Sequence, residues 1–476
     1  MLENPAATIQ KAIAKLRQLV QLEVQHGWQD LGNVDKNFNS NFNLADVNLI
    51  KYSIAPLNEK GYLVFPSGRE VKWLAQQIII PQTLQGYPIE GLSLRLVLTW
   101  WAADAQIFIN GELVQQGDLF DSSARVLITN HAQPGHEYLV TIRLLSPNHD
   151  IGALMRSHLI YEQVNTPQNI DPGLVADEIT VLSKYLSQFK PADLEVLAAE
   201  LNRFDWHNLE QADEFTEDLA QLRSRLLPLA QDIKQRRFYL LGHAHLDMAW
   251  LWTTDETYEV AERTFKSVLN LQQDFPALTF GHTSPALYEW IEHNRPELFN
   301  LVQAAIRSNK WEILGGMWVE PETNLVCGES LIRQLIYGQK YYQEKFGEIA
   351  KVAWLPDSFG FTWQLPQIMQ QCGIESFVTG KLHWNDTTKF PHGCFWWESP
   401  DGTQLLTLMS PPNVTGVMDT NPITMANYGV DWEVQTGLQE IFWLPGVGDH
   451  GGGPTRDMLE VAAKWQNSPF FPQIEF

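Results

Sequence analysis

The stretch Leu240-Leu-Gly-His-Ala-His-Leu-Asp-Met-Ala-Trp250 opens as an apolar run, breaks at Gly242 and then carries His245 and Asp247 two residues apart. A short apolar run bounded by glycine reads as a buried strand. In an extended segment residues i and i+2 project to the same side. The imidazole of His245 and the carboxylate of Asp247 can therefore reach one divalent cation just beyond the strand. Val352-Ala-Trp-Leu-Pro-Asp-Ser-Phe-Gly360 repeats the arrangement: an apolar strand, a turn and a single acid, Asp357. Two strands delivering ligands to one place predict a single site fed by separate strands.

From Phe238 onward the same rhythm continues. Apolar strands are predicted at Phe238 to Leu241, Leu278 to Phe280, Trp311 to Leu314, Val352 to Leu355, Phe377 to Thr379, Leu405 to Leu408 and Ile441 to Leu444, with helical stretches between them. That alternation predicts βαβ units and a largely parallel sheet. The amino-terminal part differs. Ile9, Ile13, Leu16, Val20 and Val24 recur at helical spacing and predict an opening amphipathic helix. Between Tyr62 and Leu145 come short β-rich runs, at Tyr62 to Phe65, Leu94 to Trp100, Ile107 to Ile109 and Tyr138 to Leu144. Asn110-Gly111 between two of the runs is a type I′ hairpin signal. This part reads as a β-sandwich of jelly-roll type. Leucines 194, 197, 201, 219, 222 and 226 then supply helical stripes. The predicted division is thus residues 1–165 as helix plus β-sandwich, 166–236 as a helical connector and 237–476 as the α/β part.

A chain of 476 residues exceeds one usual core, in keeping with several domains. Its 33 Lys and Arg against 56 Asp and Glu leave a net charge of −23, which repels polyphosphates and anionic lipid surfaces. Nucleic-acid and membrane partners are therefore not expected, whereas a neutral substrate is unaffected. Eighteen tryptophans exceed what cores usually need, and their flat faces suit stacking on sugar rings, although any single one more often packs inside. Cys327, Cys372 and Cys394 are too few and too scattered for a disulfide framework or a zinc ribbon, which fits a reducing compartment. With no leader-like amino terminus and no bilayer-length apolar window, cytoplasmic residence is the expectation.

Functional groups of parallel α/β folds sit beyond the carboxyl ends of the strands. Four segments obey that rule: His243 to Asp247, Val319 to Asn324, Pro356 to Gly360 and Gly446 to Gly453. Each also has a bland reading, because a histidine after a strand is usually a hydrogen-bonded structural residue and an Asp before Ser can cap a helix. Their joint placement on strand ends favours a site.

Six runs, in chain order, carry a resemblance. They are Gly-His-x-His-x-Asp-x-Ala-Trp-Leu-Trp (242–252), Gly-Gly-x-Trp-Val-Glu-Pro (315–321), Cys-Gly-Glu-Ser-Leu-Ile-Arg-Gln (327–334), Trp-Leu-Pro-Asp-Ser-Phe-Gly-Phe (354–361), Lys381-Leu-His-Trp-Asn385 and Gly446-x-Gly-Asp-x-Gly-Gly-Gly-Pro454. Over residues 237 to 476 the chain resembles glycoside hydrolase family 38, the class II α-mannosidases. The β-rich part before it looks like the accessory domain of the cytosolic and vacuolar branch. The resemblance implies a seven-stranded parallel α/β-barrel-like catalytic domain. It also implies one zinc ion held by His245, Asp247 and Asp357 and gripping two neighbouring hydroxyls of a mannose ring. An imidazole and carboxylates suit zinc and leave a position open. His243 shares the parity of the ligands and ranks behind His245.

The same resemblance implies that Asp357 is the nucleophile of a retaining glycosidase, whose two carboxyl groups stand about 5 Å apart. Asp449 is the candidate general acid, its glycine-rich surroundings allowing close approach of substrate. Trp250 and Phe359 are implied to line the sugar subsite, and Lys381 to carry a cation near the reacting ring. Glu320, Asn324 and Arg333 read as loop-holding residues. A fourth zinc ligand is implied from a downstream His-Arg-Gly-Thr-like segment that does not occur up to Phe476, with His450 a weaker alternative. The chain is accordingly expected to be a fragment ending inside the catalytic domain, with weak metal binding and low activity. The expected activity is hydrolysis of terminal α-linked mannose from mannose-containing oligosaccharides. A metal-dependent carbohydrate deacetylase and a non-catalytic carbohydrate-binding protein are the alternatives.

Overall fold

The computed structural model describes residues 4–32, 49–117, 122–148, 150–163, 170–250, 252–412, 417–447 and 452–476. The chain is a mixed α/β protein that divides into two compact units, Met1–Gln231 and Asp232–Phe476.

The first unit holds two five-stranded antiparallel sheets. One has Gly152–Glu162 at its centre, paired with Ser93–Trp101, which in turn pairs with Ser123–Thr129. The other has Glu137–Leu145 between Val71–Ile79 and Asp104–Ile109. Alternate residues Leu94, Leu96, Leu98 and Trp100 are buried, as are Val140, Ile142 and Leu144, the period of two expected of strands with one face on a core. Asn110 and Gly111, at φ 50° and 88°, turn Asp104–Ile109 back onto Glu112–Gly117, so the hairpin read from Asn-Gly is present. The opening helix, Pro5–Gln18, is shorter than its apolar spacing predicts. Val20 and Val24 are buried but lie beyond its end, flanking the strand Gln21–Glu23, which pairs with Gly152–Glu162. Helices Pro172–Phe189, Asp193–Asn202 and Ala212–Ala230 belong to this unit. The first two pack on the opening helix, where Arg17 pairs with Asp177 at 2.9 Å.

The second unit contains three sets of parallel strands. Arg237–Leu240 lies between Glu440–Trp443 and Gln473–Glu475. Gly242–His243, Phe280–His282 and Trp311–Ile313 form the second set. Val352–Trp354, Ser376–Thr379 and Gln404–Met409 form the third. Every predicted strand has a counterpart, within two residues, and each pairs in parallel. The edge strand Cys394–Glu398, antiparallel to Gln404–Met409, was not anticipated.

The segment 237–243 changes partners within one stretch of chain. Leu241 N donates to Trp443 O at 3.0 Å and Gly242 N to Thr279 O at 2.8 Å, which ties the first set to the second. A side chain at 242 cannot be accommodated, because a Cβ there meets Pro454 at 2.7 Å. Between the second set and the third, Gly315 N donates to Val352 O at 2.9 Å. Helices return the chain between strands. Thr254–Asp274 starts at a capping box in which Thr253 and Glu256 satisfy each other's backbone N–H, and it buries Ala261, Phe265 and Val268. Phe265, Phe280, Tyr288 and Trp311 meet in the main core. The polar edges there are satisfied, since Trp311 Nε1 donates to Tyr288 Oη at 2.8 Å and Tyr288 Oη to His282 O at 3.2 Å. No helix among the described residues is long and apolar enough to cross a membrane.

Candidate active site

His245, Asp247 and Asp357 converge. One ligand atom from each lies within 4.8 Å of the other two. His245 Nε2 stands 3.0 Å from Asp247 Oδ1 and 3.9 Å from Asp357 Oδ2. Two ligands of a tetrahedral zinc with bonds near 2.1 Å are separated by about 3.4 Å, a value these two distances bracket. One imidazole nitrogen and two carboxylates, set at the edge of a buried core, therefore fit the zinc implied by the sequence.

Local structure explains the convergence. After His243 the chain turns outward, and the backbone oxygen of Asp247 accepts from Thr257 Oγ1 at 3.0 Å and Trp252 Nε1 at 3.3 Å. The start of helix Thr254–Asp274 thereby clamps the ligand turn. Ala249 takes the left-handed φ of 73° that the turn requires. On the other side, Glu320 Oε1 accepts from the backbone N–H groups of Asp357 and Ser358 at 2.7 and 2.8 Å. Glu320 Oε2 lies 4.0 Å from His245 Nδ1. One carboxylate thus orients the acid-bearing loop while its other oxygen faces the imidazole ring beyond hydrogen-bond distance, where it acts on His245 through its charge. Asn324 packs on Gly360, where a Cβ would meet its Nδ2 at 2.0 Å. Arg333 is remote from this contact and pairs with Glu329 at 2.8 Å.

The electrostatics favour a cation. Burial works against a charged His245, but its hydrogen bond to the Asp247 carboxylate and the negative charges of Glu320, Asp247 and Asp357 prevail and raise its pKa to about 9. The field that holds a proton on that ring also attracts a divalent ion. His243 behaves differently. Its Nδ1 faces Gly281 O at 3.1 Å, its ring lies 4.7 Å from that of Trp354, and burial with nearby His282 pushes its pKa down to about 3. It is absent from the ligand cluster.

Lys381 reaches the same place from the turn after Ser376–Thr379. Its Nζ lies 2.5 Å from Asp357 Oδ1, and 4.4 and 4.0 Å from the ring centroids of Phe359 and Trp384. Phe359 is exposed beside the cluster, and Trp250, half exposed, meets Trp252 edge to face at 5.7 Å. Asp449 and His450 lie outside the described residues. The flanks of their loop are joined, with Val447 N donating to Gly453 O at 2.9 Å. Gly446 passes so close to His243 that a Cβ would stand 1.9 Å from the carbonyl oxygen. Sequence reasoning passed over Trp384. Its signal was its place three residues after Lys381 in a matched run.

The model of the glycosyl hydrolases family 38 N-terminal domain matches residues 235–476. Among known proteins, the chain is similar to α-mannosidase G of Dictyostelium discoideum, 37% identical over 246 residues that cover 51% of this chain and 22% of that protein. It is also similar to α-mannosidase 2C1 of Homo sapiens, 34% identical over 241 residues covering 51% of this chain and 23% of that protein. An α-mannosidase structure from Enterococcus faecalis aligns with a TM-score of 0.44 at 21% identity, covering 50% of this chain and 28% of that one. The chain belongs to glycosyl hydrolase family 38. Its match spans under a quarter of the length of these two curated relatives.

Proposed function

We propose that the chain carries the metal-binding and nucleophilic part of a zinc-dependent retaining α-mannosidase that removes terminal α-linked mannose from oligosaccharides. The observation that carries this reading is the meeting of His245, Asp247 and Asp357 from two strand ends, beside a buried ammonium. In this reading residues 237–476 perform the catalysis, with the seven strands predicted from the sequence as staves of one barrel-like domain. Residues 1–165, helix plus β-sandwich, are an accessory domain, and the helical stretch 166–236 connects it to the catalytic part.

His245, Asp247 and Asp357 would hold the zinc, which when bound supplies a Lewis-acid anchor for neighbouring sugar hydroxyls. Asp357 attacks the anomeric carbon. The electrons of the breaking glycosidic bond pass to the leaving oxygen, which takes a proton from Asp449 and departs as the alcohol. A glycosyl ester on Asp357 remains. Asp449 then takes a proton from water, the resulting hydroxide attacks the anomeric carbon, and Asp357 is released as carboxylate. Lys381 holds the Asp357 carboxylate in place, and Trp250 and Phe359 offer apolar faces to the sugar. A cytosolic location accompanies this reading, supported by the three unpaired cysteines.

The test is release of mannose from a chromogenic α-mannoside by the zinc-loaded chain. Activity is expected to vanish with a chelator, return with zinc and be absent from Asp357→Asn. Full activity in that variant sinks the reading.

A further inference from the structure

Three groups form a corner beside Asp357. The rings of Phe359 and Trp384 stand at 89° with centroids 6.1 Å apart, and the Lys381 ammonium lies over both. The Lys381 side chain is only 5% exposed, whereas Phe359 and Trp384 are 66% and 65% exposed. Each ring touches the ammonium and leaves most of its remaining surface to solvent. A cation–π contact alone does not need so much indole surface in water, where a fold normally avoids gathering large apolar faces.

The turn that presents the indole is also hydrogen-bonded. Trp384 N donates to Lys381 O at 3.0 Å, and Asn385 N donates to His383 O at 3.1 Å. The Asn385 side chain accepts from the backbone N–H groups of Thr387 and Thr388 at 3.1 and 2.8 Å. The ring therefore sits on a hydrogen-bonded turn, as a preformed stacking surface should.

We propose that Trp384 is the platform for the sugar on the leaving-group side of the cleaved bond, a specificity-determining residue that selects mannose joined to a second sugar. This rests on the α-mannosidase reading above. Two rings at right angles do not stack on one flat pyranose face. If Phe359 serves the reacting mannose, Trp384 serves its neighbour. For an enzyme that removes terminal residues, that neighbour is the leaving sugar. Its C–H face packs on the indole, and the ammonium behind the ring increases the polarity of the corner where sugar hydroxyls arrive.

The test is calorimetric binding to the full chain of two uncleaved ligands, methyl α-mannoside and a sulfur-linked α-mannobiose. The wild type is expected to bind the disaccharide about 3- to 10-fold more tightly, the range one aromatic stacking contact supplies. Trp384→Ala is expected to erase that ratio and Trp384→Phe to keep most of it. A ratio that survives Trp384→Ala, or is absent from the wild type, overturns the assignment of Trp384 alone. Failure of the wild type to bind even methyl α-mannoside instead overturns the α-mannosidase reading, and this proposal with it.

Discussion

Lys381 Nζ and Asp357 Oδ1 are 2.5 Å apart, and the pairing leaves Oδ2 of the same carboxylate turned toward His245. The two oxygens of one acid thus face an ammonium and a metal-ligand cluster. A lysine this deeply buried needs its counter-charge, and the acid needs a fixed orientation if it is to meet both a cation and a sugar carbon.

Loss of that ammonium is predicted to act on turnover more than on binding. Lys381→Met should lower kcat for a chromogenic α-mannoside by about 100-fold or more, the scale on which one preorganised charge contact acts. Lys381→Arg should restore little, because a planar fork does not replace a point charge in a pocket shaped by two rings. Steady-state kinetics check this, and an unchanged kcat in Lys381→Met contradicts it.

In the proposed mechanism, attack by Asp357 followed by attack of water inverts the anomeric carbon twice. Proton NMR of early reaction mixtures should therefore show α-mannose first, with the β anomer growing in only by mutarotation. If β-mannose appears first, Asp357 is not the nucleophile.

On the zinc reading, the metal and a proton compete for His245. Since its pKa is raised to about 9, the proton must be displaced throughout the neutral range, and apparent zinc affinity should climb about tenfold per pH unit between 6 and 8. Titration against a competing chelator of known pH dependence measures the slope. His245→Ala should bind more weakly and lose this pH dependence.

In the first unit, burial and the nearby Arg156 and Arg125 push the pKa of His158 down to about 4. The unfolded chain, with an ordinary value near 6.5, binds the proton in the interval between the two. The stabilisation is therefore complete above about pH 6.5 and is lost as pH falls toward 4, with a slope of at most about 1.4 kcal/mol per pH unit. Urea unfolding of wild type and His158→Gln at pH 7 and pH 5 should show the variant losing less stability on acidification. Equal losses contradict the assignment.

The close passage of Gly446 past the His243 carbonyl leaves no room for a methyl group. Gly446→Ala is predicted to cost roughly 1–3 kcal/mol and to weaken zinc binding together with stability, because His243 leads directly into the ligand turn. Thermal unfolding and metal analysis of one preparation test both.

The strand ends of the second unit were legible in the sequence because each short strand is a mostly apolar run bounded by turn residues, and ligand residues follow directly. His245, Asp247 and Asp357 could be grouped for that reason. The edge strand Cys394–Glu398 carries no clean alternation of buried and exposed residues and left no such trace. Val20 and Val24 kept helical spacing although their burial comes from flanking a short strand. The particular partners of Glu320 and Trp384 could not be read, although Glu320 reads as loop-holding and Trp384 lies in a matched run. One is defined by backbone N–H groups 37 and 38 residues away, the other by an ammonium presented on a turn, and neither relation is periodic.

The switch of partners at Leu241 and Gly242 ties the imidazole-bearing stretch to two separate parts of the chain. The stretch leading to the imidazole is bonded on one flank to Trp443, which comes late in the chain, and on the other to Thr279, which comes soon after it. On the zinc reading, the spacing of the donor atoms rests on a pairing that spans about two hundred residues as well as on a local one, so that truncation before Trp443 strips one flank from the imidazole-bearing stretch.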